Sequence, residues 1–190
     1  VFANKEALLL KLTKWMYEKQ FAITGRLLGE GYEPEMFYAV EPSIQLYIAE
    51  KSEALRELYV SSYSYAATAN YIHQMATDKL VELFGAMHPQ YTRQDFYELE
   101  LASSGMVRSF MARKCDRNFT MEQKLRRFLS CSMTIYGVTE EKQQQVIDRV
   151  LEMDLKSVAD QLVADAIHQA DEQYQEAERK GKAIEAARNG

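Results

Sequence analysis

Cysteine, proline and glycine are all scarce: the 190 residues hold 2, 3 and 8 of them. Two cysteines, Cys115 and Cys131, cannot build a disulfide scaffold, and their spacing matches no paired metal-ligand motif, so free structural thiols are expected. With so few helix breakers, and without alternating runs of β-branched residues, the chain reads as all-α. No run of about 18 uncharged apolar residues occurs, which excludes a helical membrane span. A basic segment followed by an apolar one and a small-residue cleavage site is also missing, and the reading is cytoplasmic. Basic charge is in deficit as well: the formal net charge of -5 argues against this stretch binding nucleic acid by itself, because phosphate neutralisation needs a basic face.

Hydrophobic side chains make up 47% of the sequence, which suits one domain with a substantial core. Asn4 can cap a helix that carries Leu8, Leu9, Leu12 and Met16 and runs to Leu28, where Gly29 and Gly31 end it. At about 1.5 Å per residue this helix spans roughly 35 Å, enough to join two domains mechanically. A second helix is expected over Glu35 to Lys51, kinked or restarted at Glu41-Pro42, where proline removes a backbone donor and opens space between neighbours. Ser52 restarts the helix, and Ala66 to Phe84 form another. Thr92 with Asp95, and Thr120 with Gln123, have capping-box spacing. Thr139 and Asp154 begin two more helices, the last with Leu155, Val158, Leu162, Ala166, Ala170 and Tyr174 along one face. The domain is expected over residues 4–176, with 177–190 a fraying charged tail.

Two stretches carry a family resemblance. Val1-Phe-Ala-Asn-Lys-Glu6, followed by the long apolar helix, is similar to the junction after the helix-turn-helix in the tetracycline-repressor (TetR) family of transcription factors. The order Tyr91-Thr-Arg-Gln-Asp-Phe-Tyr-Glu-Leu-Glu, Ser104-Gly-Met, Phe119-Thr-Met-Glu-Gln-Lys-Leu-Arg-Arg-Phe-Leu and Ile135-Tyr-Gly-Val resembles that family's ligand-binding and dimerising domain. The resemblance implies a helical bundle that senses a small-molecule effector and pairs as a homodimer. It makes residues 1–6 the residual end of a DNA-binding domain that would contact operator DNA. Lys5, with Asn4 at the helix N-terminus, is then placed beside a phosphate, where it would position the protein without reading bases; a solvated lysine next to Glu6 is the plain alternative.

Tyrosine is abundant, at 12 residues, and phenols suit a cavity that is apolar but hydrogen-bonding. Tyr47, Tyr59, Tyr63, Tyr71, His73, Phe96, Met106 and Phe110 are the candidate ligand contacts, although ordinary core packing explains such side chains too. By family analogy the dimer interface falls on Leu125, Phe128, Leu129 and Met133 together with Val158, Leu162 and Tyr174. Asp165 and His168 have the spacing of half a di-iron motif, but its other half is missing, so no metal or other cofactor is expected. Arg108, Arg113, Lys114, Arg117, Lys124, Arg126 and Arg127 gather around one turn and read as a solvated face, or more sharply as a seat for an anionic effector. No phosphate loop, nucleophile elbow or Cys/His pair stands out, which leaves an enzyme reading without catalytic residues. A homodimeric helical scaffold with no effector is the rival to the regulator.

Overall fold

A computed structural model describes the backbone of residues 5–188, with side chains from Glu6 to Gln169 and those of Asp171 and Arg179. The protein is all-α. The described residues form eight helices: α1 (Lys5–Leu28), α2 (Pro34–Lys51), α3 (Glu53–Ser62), α4 (Ala66–Phe84), α5 (Arg93–Ala112), α6 (Met121–Ile135), α7 (Glu140–Glu152) and α8 (Leu155–Arg188). Asn4 lies outside the described residues, as do the side chains of Lys5 and Tyr174. The backbone of α8 continues as helix to Arg188, past the point at residue 177 where a fraying tail is expected.

Local chemistry sets most boundaries. Gly29 and Gly31 take positive φ values of 76° and 71°, which glycine adopts without steric cost, and α1 ends there. Thr92 and Thr120 both close full capping boxes: each hydroxyl accepts from the backbone N–H three residues on, and the Asp95 or Gln123 side chain reaches back. Ser52 and Thr139 accept single capping bonds from Leu55 and Lys142. Asp154 accepts from the Ser157 N–H at the start of α8.

α2 is the centre of the bundle and packs against each of the seven other helices. Its sequence, PEMFYAVEPSIQLYIAEK, is apolar nearly all round, as a helix must be when it is covered on every side. Pro42 falls inside this helix rather than dividing it, and Pro34 occupies its first turn. Proline at 42 has no N–H to give the Tyr38 carbonyl one turn earlier, so the backbone is loosened at the middle of the core.

Two helices bury a different face from the one their apolar residues suggest. On α1 the inward stripe is Leu9, Thr13, Tyr17, Gln20 and Thr24, while Leu8 is 46% exposed. Four of those five are polar, and three reach across to α3: the Thr13 and Ser62 hydroxyls lie 3.3 Å apart, those of Tyr17 and Tyr63 2.9 Å apart, and Gln20 donates to the Tyr59 hydroxyl. On α5 the buried side chains are Phe96, Glu100, Ser103, Ser104, Val107 and Met111. Of its apolar residues Phe96, Val107 and Met111 are buried, while Leu99, Met106 and Phe110 sit half-buried at the edge and Ala102 is exposed.

Candidate functional site

A cavity opens where α2 is loosened. Its free space is about 80 Å³. α1 supplies Tyr17 and Phe21, α2 supplies Phe37, Tyr38, Glu41, Pro42 and Gln45, and the C-cap of α3 supplies Tyr63. The far wall is Ile72, Ala76 and Lys79 of α4 with Glu100, Ser103 and Ser104 of α5, and Phe128 of α6 closes one end. Half-exposed Phe21, Ala76 and Lys79 mark the solvent side.

Two carboxyl groups face this space. Glu41 accepts a hydrogen bond of 2.6 Å from the Gln45 amide and makes no ion pair among the described residues. Burial pushes its pKa up to about 7; the Gln45 bond works against the rise and the Glu100 charge adds to it. The Gln45 carbonyl oxygen, on a side chain only 3% exposed, has no partner at all. Glu100 is better served, with His73 Nδ1 3.1 Å away and Ser103 donating at 3.1 Å. Its pKa is nevertheless raised, because burial outweighs those bonds. The Tyr136 hydroxyl lies 2.8 Å from Ser103 and extends the network to the end of α6. Burial raises the phenols of Tyr17, Tyr59 and Tyr63, which therefore stay protonated and serve as hydrogen-bond partners. The one lysine of the lining, Lys79, is already occupied: its ammonium lies 2.7 Å from Glu82 and 4.2 Å from the centre of the Phe37 ring.

Of the eight residues expected to contact a ligand, Tyr63 lines the cavity, and His73 reaches it through Glu100. Tyr59 stands behind it, bonded to Gln20. The other five are placed elsewhere, in each case because the helix is turned or packed away. Phe96 is core beside His88 and Tyr91; Phe110 packs on Phe119 and Phe128. Tyr71 lies under the Lys14 ammonium, and Tyr47 and Met106 pad the rim of the core. The acids and amide that give the cavity its chemistry were not among the candidates. For Glu41 and Gln45 the signal is present in α2, where they and Ser43 are the polar interruptions of a largely apolar run from Met36 to Ala49.

The expected dimer interface needs correction. Leu125, Phe128, Leu129 and Met133 are at most 1% exposed, and Leu162 8%, within the chain's own core, so they offer no surface to a second copy. Val158 is half-buried against the same core. The basic cluster is not uniformly solvated either. Lys124 is fully buried, bonded to Glu50 and to the Arg113 carbonyl. Arg113 pairs with Asp116 at 2.6 Å, and Arg126 with Glu122 and Asp148 at 2.9 and 3.0 Å.

Among the described residues no group of three His, Cys, Asp or Glu side chains is placed to hold a metal ion, and no helix is long and apolar enough to cross a membrane. Comparisons with protein-family models, with curated proteins and with solved structures found no match.

Proposed function

We propose that the chain is the sensing part of a cytoplasmic, TetR-like transcriptional regulator, which takes a small-molecule effector into the cavity beside Pro42 and pairs as a homodimer. Operator DNA would be contacted by a helix-turn-helix joined to the N-terminal end of α1, with Asn4 and Lys5 beside a phosphate. The observation that carries this reading is the cavity itself: it sits at the centre of the bundle, holds one buried polar atom without a protein partner, the Gln45 carbonyl oxygen, and draws part of its wall from α1. A ligand that favours one arrangement of that wall would shift α1, and with it the spacing of two DNA-binding heads on a palindromic site.

The small free volume favours the rival reading, a homodimeric helical scaffold. Pockets for drug-sized ligands run from roughly 300 to 1,000 Å³, well above the space found here. Native mass spectrometry of the intact protein, paired with selection of a DNA site from random duplexes, separates the two. The regulator is expected to retrieve one palindromic sequence and to release or tighten on it when a co-purified small molecule is restored. In that protein Lys5→Ala should weaken binding equally on all sequences and lower its salt dependence. A dimer that selects no DNA and carries no small molecule is a scaffold.

A further inference from the structure

The cavity's polar groups are mismatched in a way that specifies what would fill it. Its hydrogen-bonding surface is rich in acceptors: the Glu41 carboxylate, the Gln45 carbonyl oxygen and the edge of Glu100. Gln45 is the sharpest of these. Its side chain is buried, its amide is spent on Glu41, and its oxygen is left with no donor. Leaving a buried acceptor unpaired costs on the order of 1–3 kcal/mol, a cost that a donor supplied from outside would remove. The phenols of Tyr17 and Tyr63 share one hydrogen bond of 2.9 Å, and the Lys79 ammonium is paired with Glu82 at 2.7 Å. Among the described residues no cation pairs with Glu41.

The apolar part of the wall points the same way. Tyr17, Phe21, Phe37 and Tyr63 present aromatic rings to the space occupied by these acceptors. Aromatic faces attract cations, most strongly where water is excluded. Phe37 already carries one, the Lys79 ammonium 4.2 Å from its ring centre. An anion would meet two carboxyl groups, and a purely apolar guest would leave the Gln45 carbonyl oxygen without a donor and Glu41 without a counter-charge.

From this arrangement we infer that the cavity binds a compact organic cation, an alkylammonium group held by Glu41 and Gln45 and enclosed by the rings of Tyr17, Phe37 and Tyr63. The inference rests on the proposed reading of the cavity as an effector site and names the effector's chemical class. About 80 Å³ of free space accommodates the cationic head, and anything longer extends past Phe21 and Lys79 toward solvent. The titratable groups around Glu41 are Tyr17 of α1, Tyr59 of α3, Tyr63 at the C-cap of α3, Lys79 of α4 and Glu100 of α5, the last paired with His73. With Glu41 raised to about 7, a bound cation draws it into the ionised form and expels its proton, so affinity should rise from pH 6 to pH 8.

Three probes of nearly equal shape test the charge directly: 3,3-dimethylbutylammonium, the neutral 3,3-dimethylbutan-1-ol, and the anion 3,3-dimethylbutanoate. Binding to the full chain is measured at pH 8 by calorimetry and by shifts of the Ile72 and Val107 methyl resonances. The expected result is that the ammonium binds at least tenfold more tightly than the alcohol and the anion does not bind. In Glu41→Gln the preference for the ammonium should collapse to less than threefold. Equal binding of the ammonium and the alcohol overturns the cation assignment while leaving the cavity a ligand site. Failure of all three to shift the cavity methyls overturns both. Because the comparison of probes is made on the unaltered protein, it holds even if the variant does not fold.

Discussion

Glu41→Gln replaces a carboxyl that the fold would rather keep neutral, and the structure gives the size and the sign of the result. The folded-state pKa is about 7 against an ordinary 4.5, with burial as the main cause. A difference of that size corresponds to roughly 3 kcal/mol between the two protonation states. For a carboxyl whose folded pKa is raised, stability is complete below pH 4.5 and is lost as pH rises toward 7, because the unfolded chain ionises first. The amide of glutamine has no such transition. At pH 5 the variant should therefore be ahead by less than about 1 kcal/mol, because only the unfolded chain has begun to ionise. By pH 8 the variant should be the more stable by about 3 kcal/mol, or roughly 6–12 °C for a chain of this size. Scanning calorimetry of both proteins at pH 5, 6, 7 and 8 measures this. Taking the difference between them cancels carboxylates such as Asp95 and Asp154, whose depressed pKa values pull stability the opposite way with pH. A gap that does not change with pH, or a parent that is the more stable at pH 8, would refute the reasoning.

Lys124→Met removes the buried ammonium that joins α6 to Glu50 of α2 and to the Arg113 carbonyl; breaking one side of such a pair should cost about 3–5 kcal/mol in urea unfolding at pH 7. The Glu50 pKa is lowered, chiefly by Lys124 acting against the burial that would raise it, so this stabilisation is present above pH 4.5 and fades as pH falls through the folded value; a loss of the same size at pH 3 would count against the pair. Thr120→Ala opens the capping box of α6 and should cost about 1 kcal/mol, independent of pH between 6 and 8. An unchanged urea midpoint would mean that the Gln123 side chain alone holds the turn.

Helix boundaries were legible because they are set by atoms a few residues apart. Thr92 and Thr120 cap their helices with partners three positions on, and Gly29 and Gly137 end helices with positive φ angles that their own backbones permit. The faces were harder, since burial is decided by what a helix packs on. Leu8, Leu9, Leu12 and Met16 define an apolar side of α1, yet the side that meets α3 is the polar one, where Thr13, Tyr17 and Gln20 each find a hydroxyl partner across the interface. A polar residue with a distant partner looks like a solvent-facing one in sequence. The same blindness hid Lys124, which sits within a run of basic residues and pairs with a glutamate 74 positions away. Glu41 was the exception that could have been read: an acid between valine and proline, in a helix apolar on all sides, has nowhere to go but inward. Leu125, Phe128, Leu129 and Met133 misled for the converse reason, because a strong apolar stripe fits a subunit interface and a monomer core equally well.

The polar seam between α1 and α3 bears on how an occupant of the cavity would be felt elsewhere. Tyr17 belongs to both: its ring lines the cavity and its hydroxyl bonds Tyr63, which lines the cavity as well. An occupant that draws either phenol toward itself competes with that bond, and the loss falls on one of three links holding α1 to α3. Neighbouring links cannot readily compensate, since Thr13 and Gln20 lie one turn away on either side and their partners Ser62 and Tyr59 are fixed in the same short helix. α1 would then respond as a rod pivoting near its middle. Lys5 is 12 residues from Tyr17, or about 18 Å at the rise of an α-helix, so a tilt of about 5° carries the N-terminal end by roughly 1.5 Å. Helix shifts of about 1–2 Å at interfaces are a known scale for switching. An apolar seam would slide under such a load, whereas hydrogen bonds with fixed partners hold until they exchange. On the proposed reading of the chain as a sensor, the polar character of α1's inner face would favour two discrete positions of the helix over a continuum.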